Sequence, residues 1–252
     1  MKMPRRSDIG VAILSTDRHH CLERLLKSIA DQTQTKDLTV FVIDDSIDCE
    51  SSIKICGKYP WTILHHTGQR IGIARNTNYA MKALEAFPYK IIMNNDVEVL
   101  GNPLWWAVYP LAMDQTGIHH FCFQQEGLWG AGTKKRPQEI QVINGRRIKT
   151  IHNFPQGAIL SYDQKAFETV GYFDAKNFHS YGRSHWDWSF RVSDSGIQPE
   201  GIHDISISNT VFKVHDEPCS TDQTTRLKDY QRNTKIFEDL RQDKSRIYID
   251  YA

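Results

Sequence analysis

Hydrophobic residues in the first hundred positions fall into short unbroken blocks, and between the blocks they keep a helical period. The block IGVAIL at 9–14 is followed by RHHCLERLLKSIADQ, in which Leu22, Leu25, Leu26 and Ile29 recur every three or four residues. LTVFVI at 38–43, WTILHH at 61–66 and YKIIMN at 89–94 are further blocks, rich in β-branched and aromatic residues. Before the last of these, IGIARNTNYAMKALEAF at 71–87 sets Ile73, Tyr79 or Ala80, Ala83 and Leu84 on one side of a helix. Continuous apolar strands alternating with helices predict an α/β fold, a parallel sheet covered on both faces.

Beyond residue 100 the rhythm breaks. EIQVINGRRIKTI at 139–151 has Asn144-Gly145 between two short alternating runs, a hairpin signal. Trp105 and Trp106, after Gly-Asn-Pro, are expected to begin a buried helix. TTRLKDYQRNTKIFEDLRQD at 224–243 reads as a closing amphipathic helix packed through Leu227, Tyr230, Ile236, Phe237 and Leu240. With no internal repeat, low-complexity tract or linker, the 252 residues read as one domain.

Composition narrows the function classes without choosing one. Apolar residues make up 40% and charged residues 24%, ordinary for a globular protein, and the net charge of +1 gives no general pull toward nucleic acid or an anionic membrane. The five scattered cysteines contain no CxxC pair, which argues for reduced thiols rather than a disulfide framework or a zinc site. The first apolar run is too short for a secretory leader, and no run of about 18 apolar residues could span a bilayer. A cytoplasmic protein, free or resting on a membrane surface, is the expectation.

Candidate chemistry lies where the strands end. STD at 15–17, DDS at 44–46 and NNDVE at 94–98 each follow a predicted strand, and in open parallel sheets ligands bind at the carboxyl ends of strands. A single Asp there commonly caps the next helix; three such clusters on one edge suit a nucleoside diphosphate. One carboxylate can meet a base or ribose hydroxyls, and another can hold Mg²⁺ or Mn²⁺, hard cations usually shared with substrate phosphates. Asp96 with Glu98 nearby would suffice for the cation, the two sharing a face only if the strand continues that far.

The order VAILSTDR, VFVIDDS, GQRIGIARNTNYAM and IIMNNDVEV resembles the nucleotide-binding half of the family 2 glycosyltransferases, which have the GT-A fold. The later FPQGAILSYDQKAFETVGYFDAKNFHSYGRSHWDWSFRVSDSG and VFKVHDEPCST resemble their acceptor half and C-terminal strand, most closely in the rhamnosyltransferase-like branch. The resemblance implies a Rossmann-like, mostly parallel sheet at 8–100, a mixed-sheet acceptor half at 101–220, and a C-terminal helix and tail at 221–252. It implies that Thr16, Asp17, Asp44 and Asp45 lie about the nucleoside and Arg75 near the nucleotide or its phosphates. Asn94-Asn95-Asp96 would replace the family's Asp-x-Asp, leaving Asp96 as principal metal carboxylate for Mn²⁺ or Mg²⁺, with His215 as a second metal or phosphate contact. The Gly157-Ala158 strand would border the acceptor.

The family's base segment aligns with SHWDWSFR. His185 falls at the usual base position and Asp187 at the downstream acid, and either can accept a proton. Asp187, flanked by Trp186 and Trp188, is the preferred base, with pairing to Arg191 one turn on as the alternative. Trp186 and Trp188 are expected to form an acceptor wall. The implied reaction is inverting transfer from a nucleotide-sugar, a UDP-sugar first and dTDP-rhamnose next, to a hydroxyl of a glycan, lipid-linked or other acceptor. The rivals are a nucleotide- or carbohydrate-binding protein without catalysis and a transferase acting on modified DNA bases. Nucleotidyl transfer fits poorly, since no glycine-rich turn follows the first strand. Lys134, Lys135, Arg136, Arg146, Arg147 and Lys149 would give a solvated basic surface, or a contact for phosphates of lipid or nucleic acid.

Overall fold

A computed structural model describes residues 3–32, 38–125, 138–151, 155–215 and 222–251. Lys134, Lys135 and Arg136 lie outside the described residues. The four predicted N-terminal strands form as β1 (Ile9–Ser15), β2 (Val40–Asp44), β3 (Thr62–His66) and β4 (Tyr89–Asn94), all parallel, in the order β3-β2-β1-β4. Helices α1 (His19–Gln32), α2 (Glu50–Cys56) and α3 (Ile73–Ala83) alternate with them. Alternate residues of β1 enter two different cores. Ile9, Val11 and Ile13 join Leu22, Leu25, Leu26 and Ile29 of α1, whereas Ala12 and Leu14 join Ala74, Ala80 and Met81 of α3 and Leu84 beyond it. A strand buried on both faces has no polar face to display, which is why these runs are unbroken in sequence.

β5 (Val97–Val99) leaves the main sheet and pairs antiparallel with β11 (Phe212–Val214). The predicted buried helix appears as a 3₁₀ turn at Trp105–Ala107 continuing into α4 (Val108–Thr116). The rest of the chain supplies β6 (His120–Cys122), β7 (Gln138–Ile143), β8 (Arg146–Ile151), β9 (Ile159–Asp163) and β10 (Ile202–Ile205), which extend the main sheet as β4-β9-β6-β10-β8-β7. Asn144 and Gly145 both have positive φ (47° and 80°), joining β7 and β8 as the hairpin signal predicts. The remaining helices are α5 (Gln164–Val170), α6 (Ser184–Asp194), α7 (Ser208–Val211) and α8 (Gln223–Leu240).

α8 packs through Phe237, whose ring meets Trp186 edge-on and Phe190 at a tilt. Leu227, expected in that contact, is 57% exposed; of the predicted residues, Ile236, Phe237 and Leu240 reach the core. The tail then returns to the end of α5, where Tyr172 N–H donates to the Ile249 carbonyl (2.8 Å) and Ile249 N–H to that of Val170 (3.1 Å). Among the described residues no helix is long and apolar enough to cross a membrane.

Candidate active site

Strand register assembles the site. Ser15 pairs with Asp44 and Leu14 with Asn94, so the ends of β1, β2 and β4 lie level. Hydrogen bonds continue one step past the strands: Asp45 N–H donates to Ser15 O (3.1 Å) and Asn95 N–H to Leu14 O (3.0 Å). Asn94 N–H donates to Ala158 O (2.8 Å), just before β9, bringing Gly157-Ala158 against the end of β4. Thus the three polar clusters and Gly157 share one sheet edge.

At the β1–β2 end, Thr16 donates its hydroxyl to Asp45, while Asp17, at φ 50°, donates its N–H to Ser46 Oγ (2.7 Å) and pairs with Arg70. Ser46 Oγ–H donates to Asp44 Oδ1 (2.6 Å); Asp44 Oδ2 is buried without a hydrogen-bond partner among the described residues. Burial pushes the Asp45 carboxyl above the ordinary carboxylate range, opposed by hydrogen bonds from Thr16 and from the backbone N–H groups of Gly72 and Ile71. Gly72 (φ 82°) precedes α3, and a Cβ there would overlap the His179 carbonyl, so only glycine lets the two chains cross. Arg75 is exposed in the first turn of α3.

The expected metal residues divide. β4 ends at Asn94 and β5 starts anew at Val97, so Asp96 sits in a turn and does not share a strand face with Glu98. Pairing of β5 with β11 does bring His215 alongside, its N–H donating to Asp96 O (2.9 Å). The His215 side chain, however, bonds Glu98 Oε2 through Nε2 (2.7 Å). Among the described residues no three His, Cys, Asp or Glu side chains converge as a metal site. In the structure the Glu98 and His215 side chains are thus engaged with each other.

Asp96 Oδ2 accepts from Arg18 Nη1 (2.9 Å), and Arg18 Nη2 donates to Asn95 Oδ1 (2.9 Å). Asp96 Oδ1 is buried with no partner among the described residues. That single open oxygen fits a divalent ion completing its shell with substrate phosphates and water.

Next to the end of β4, His185, in the first turn of α6, lies over Gly157: a Cβ on Gly157 would stand 2.7 Å from the imidazole Cγ. His185 Nε2 is 3.1 Å from the Pro155 carbonyl. A carbonyl can only accept, so Nε2 carries the proton and Nδ1 is the basic nitrogen.

Asp187, the preferred base, is only 3% exposed, with Oδ2 accepting from Arg191 Nε (3.0 Å) and Oδ1 from Arg246 Nη1 (2.6 Å). With both oxygens held by guanidinium groups inside the protein, an acceptor hydroxyl has no approach; the alternative pairing with Arg191 is what forms. The acceptor wall also needs correction. Trp188 is fully buried and donates Nε1–H to Gly171 O (2.9 Å). Trp186 donates to Pro155 O (2.9 Å), and the Arg183 guanidinium covers its ring at 3.4 Å from the centroid.

Several contributors escaped sequence reading: Arg18, Arg183, and Arg246, which also pairs with Asp174. Only Arg18 had a local signal, standing directly after the STD cluster.

No family model and no curated protein sequence matches the chain. Solved structures do. The mannosyltransferase PcManGT from Pyrobaculum calidifontis, in complex with GDP-Man and Mn²⁺, aligns with a TM-score of 0.64 and 15% identity over 96% of this chain and 66% of that one. GalNAc-T7 with UDP, GalNAc and Mn²⁺ aligns at 0.59 and 14% identity, over 93% of this chain and 50% of that one. S. aureus TarS 1-349 aligns at 0.58 and 12% identity, over 93% and 73%. The chain thus spans 66% of the mannosyltransferase and half of GalNAc-T7. At such identities the likeness speaks for architecture alone: the chain has the α/β GT-A fold, a mixed sheet whose N-terminal half is parallel.

Proposed function

We propose that the chain is a glycosyltransferase moving a sugar from a nucleotide-sugar to an acceptor hydroxyl, in a family 2, rhamnosyltransferase-like manner. The observation carrying this is the convergence of Asp44-Asp45, Asn94-Asn95-Asp96 and Gly157 on one sheet edge, joined by backbone hydrogen bonds, with His185 packed over Gly157. Asp44, Asp45, Thr16 and Asp17 bind the nucleoside, with Arg75 toward the phosphates. Asp96 and Arg18 face the diphosphate. The mannosyltransferase and GalNAc-T7 structures hold Mn²⁺ beside their nucleotides, and Asp96 Oδ1 is the oxygen that would ligate such an ion, Mn²⁺ or Mg²⁺, here. When bound, the metal supplies Lewis-acid neutralisation of the leaving diphosphate.

His185 Nδ1 takes the proton of the acceptor hydroxyl, which attacks the anomeric carbon opposite the departing diphosphate, so configuration inverts. Gly157, lacking a side chain, leaves the imidazole its place, and holding both substrates in line supplies much of the acceleration. The acceptor is a hydroxyl of a glycan or lipid-linked glycan.

Incubating the chain with UDP- and GDP-sugars and Mn²⁺, with nucleotide release and the anomeric configuration followed by NMR, tests the reading. Release of UDP or GDP by the wild type and its loss in His185→Asn is the expected result; equal release by both refutes the base assignment. A second reading, a nucleotide-sugar-binding protein without turnover, draws on Asn94 standing where the family has an acid. Nucleotide-sugar bound but unchanged over hours by the wild type would select it.

A further inference from the structure

The Arg18–Asp96 pair places a cation of the protein's own where the diphosphate would lie. Asp17, in left-handed backbone, turns the chain so that the Arg18 carbonyl accepts from Cys21 N–H (2.9 Å) and Leu22 N–H (3.2 Å), at the head of α1. Asn95 Nδ2–H donates to the same carbonyl (3.3 Å). With the main chain held, the side chain reaches across to β4 and is 19% exposed, opposite an Asp96 side chain 14% exposed. A guanidinium has five N–H groups in a planar fork. Two are used, on Asp96 and Asn95; the other three have no partner among the described residues.

The charges point the same way. Asn94 and Asn95 are neutral, and the Asp96 carboxylate beside them is already paired with the Arg18 guanidinium, a pair that attracts a dication far less than two acids would. A guanidinium, by contrast, matches phosphate geometry and retains its charge at any working pH.

Resting on the donor reading above, we propose that Arg18 is a resident cation of the diphosphate site. It pairs with Asp96 in the unliganded protein and directs its remaining N–H groups to the phosphate oxygens of a nucleoside diphosphate. The nucleotide is then held without a divalent ion, and Arg18 competes with Mn²⁺ for Asp96.

Two binding measurements test this, neither requiring turnover. Calorimetric titration of UDP and GDP in EDTA should show binding to the wild type and at least about tenfold weaker binding to Arg18→Met, the loss expected when charge-assisted hydrogen bonds disappear. Arg18→Lys should stay within about threefold of wild type, because it keeps a phosphate-binding charge. Mn²⁺ binding without nucleotide, followed by the EPR signal of the free ion, should tighten by about tenfold in Arg18→Met as Asp96 is uncovered. Arg18→Gln, which keeps hydrogen-bonding capacity, serves for both measurements should the methionine variant not fold.

Equal nucleotide affinity of the wild type and Arg18→Met in EDTA, or unchanged Mn²⁺ binding, overturns the proposal while leaving the donor reading intact. Failure of the wild type to bind either nucleotide, with Mn²⁺ or in EDTA, overturns the donor reading and the proposal together.

Discussion

Replacing Asp187 by Asn separates a structural carboxylate from a catalytic one. In the folded chain Asp187 and Asp174 balance Arg191 and Arg246. Burial lowers the Arg191 pKa while Asp187 holds it up. Asparagine keeps a carbonyl but removes the charge, leaving the cluster one positive charge in excess. Arg191 retains its bonds to the carbonyls of Val170, Ile247 and Tyr172, but those groups carry no full charge. Breaking a buried pair from one side costs about 3–5 kcal/mol, and the retained carbonyl places Asp187→Asn near the lower end, at about 3 kcal/mol. In a chain of this size each kcal/mol shifts the melting temperature by roughly 2–4 °C, so calorimetry should show a fall of roughly 6–12 °C.

The loss should also loosen the tail, because Arg246 and Ile249 anchor it beside α6 and α5; limited proteolysis would cut there sooner. Assayed well below its transition, the variant should transfer sugar within about threefold of the wild type, because Asp187 is buried between two guanidinium groups. His185→Asn should do the reverse, melting within about 2 °C of wild type and losing roughly a hundredfold or more in rate, the usual share of a general base. An Asp187→Asn protein that melts normally but has lost transfer a hundredfold would refute the structural assignment.

Asp96→Asn should lower transfer by about a hundredfold or more, a loss comparable to removal of one transition-state electrostatic contact, and steady-state kinetics with Mn²⁺ would show it; unchanged kcat would remove Asp96 from the site. Gly72→Ala should destabilise the chain by about 1–3 kcal/mol through strain at positive φ, and should weaken UDP binding because the backbone shift that relieves the Cβ overlap with the His179 carbonyl moves the Gly72 N–H away from Asp45. Urea titration and calorimetry read both. Asp204, whose carboxyl burial pushes up to about 6 against hydrogen bonds from Ser208, Gln124 N–H and Tyr109, has a folded pKa above its unfolded one. Its contribution is therefore full below pH about 4 and lost as pH rises through about 6. The stability difference between wild type and Asp204→Asn, from urea midpoints, should shrink between pH 4 and pH 7; a difference that grows would reverse the assignment.

How far the sequence could be read follows from the range of the interactions involved. β1, β2 and β4 are written as unbroken apolar runs because helices cover both faces, and their ends are marked because backbone groups leaving a sheet need polar neighbours. The edge with Asp44, Asp45 and Asp96 was legible for that reason. The insertion of β9 between β4 and β6 was not, since nothing local in IIMN or AILS records that Asn94 will donate to Ala158. The same limit governs the charged residues. WDW in α6 suggests a carboxylate between two exposed aromatic rings only if the helix has an open face, and Trp186 through Ser193 are all buried, beneath Phe237 and the returning tail. Arg18 lies 78 residues from Asp96 and Arg246 lies 59 from Asp187. Whether an acid at a strand end or in a helix works on substrate or on a guanidinium is decided by those distant arginines, which carry no period and no spacing a local pattern could report.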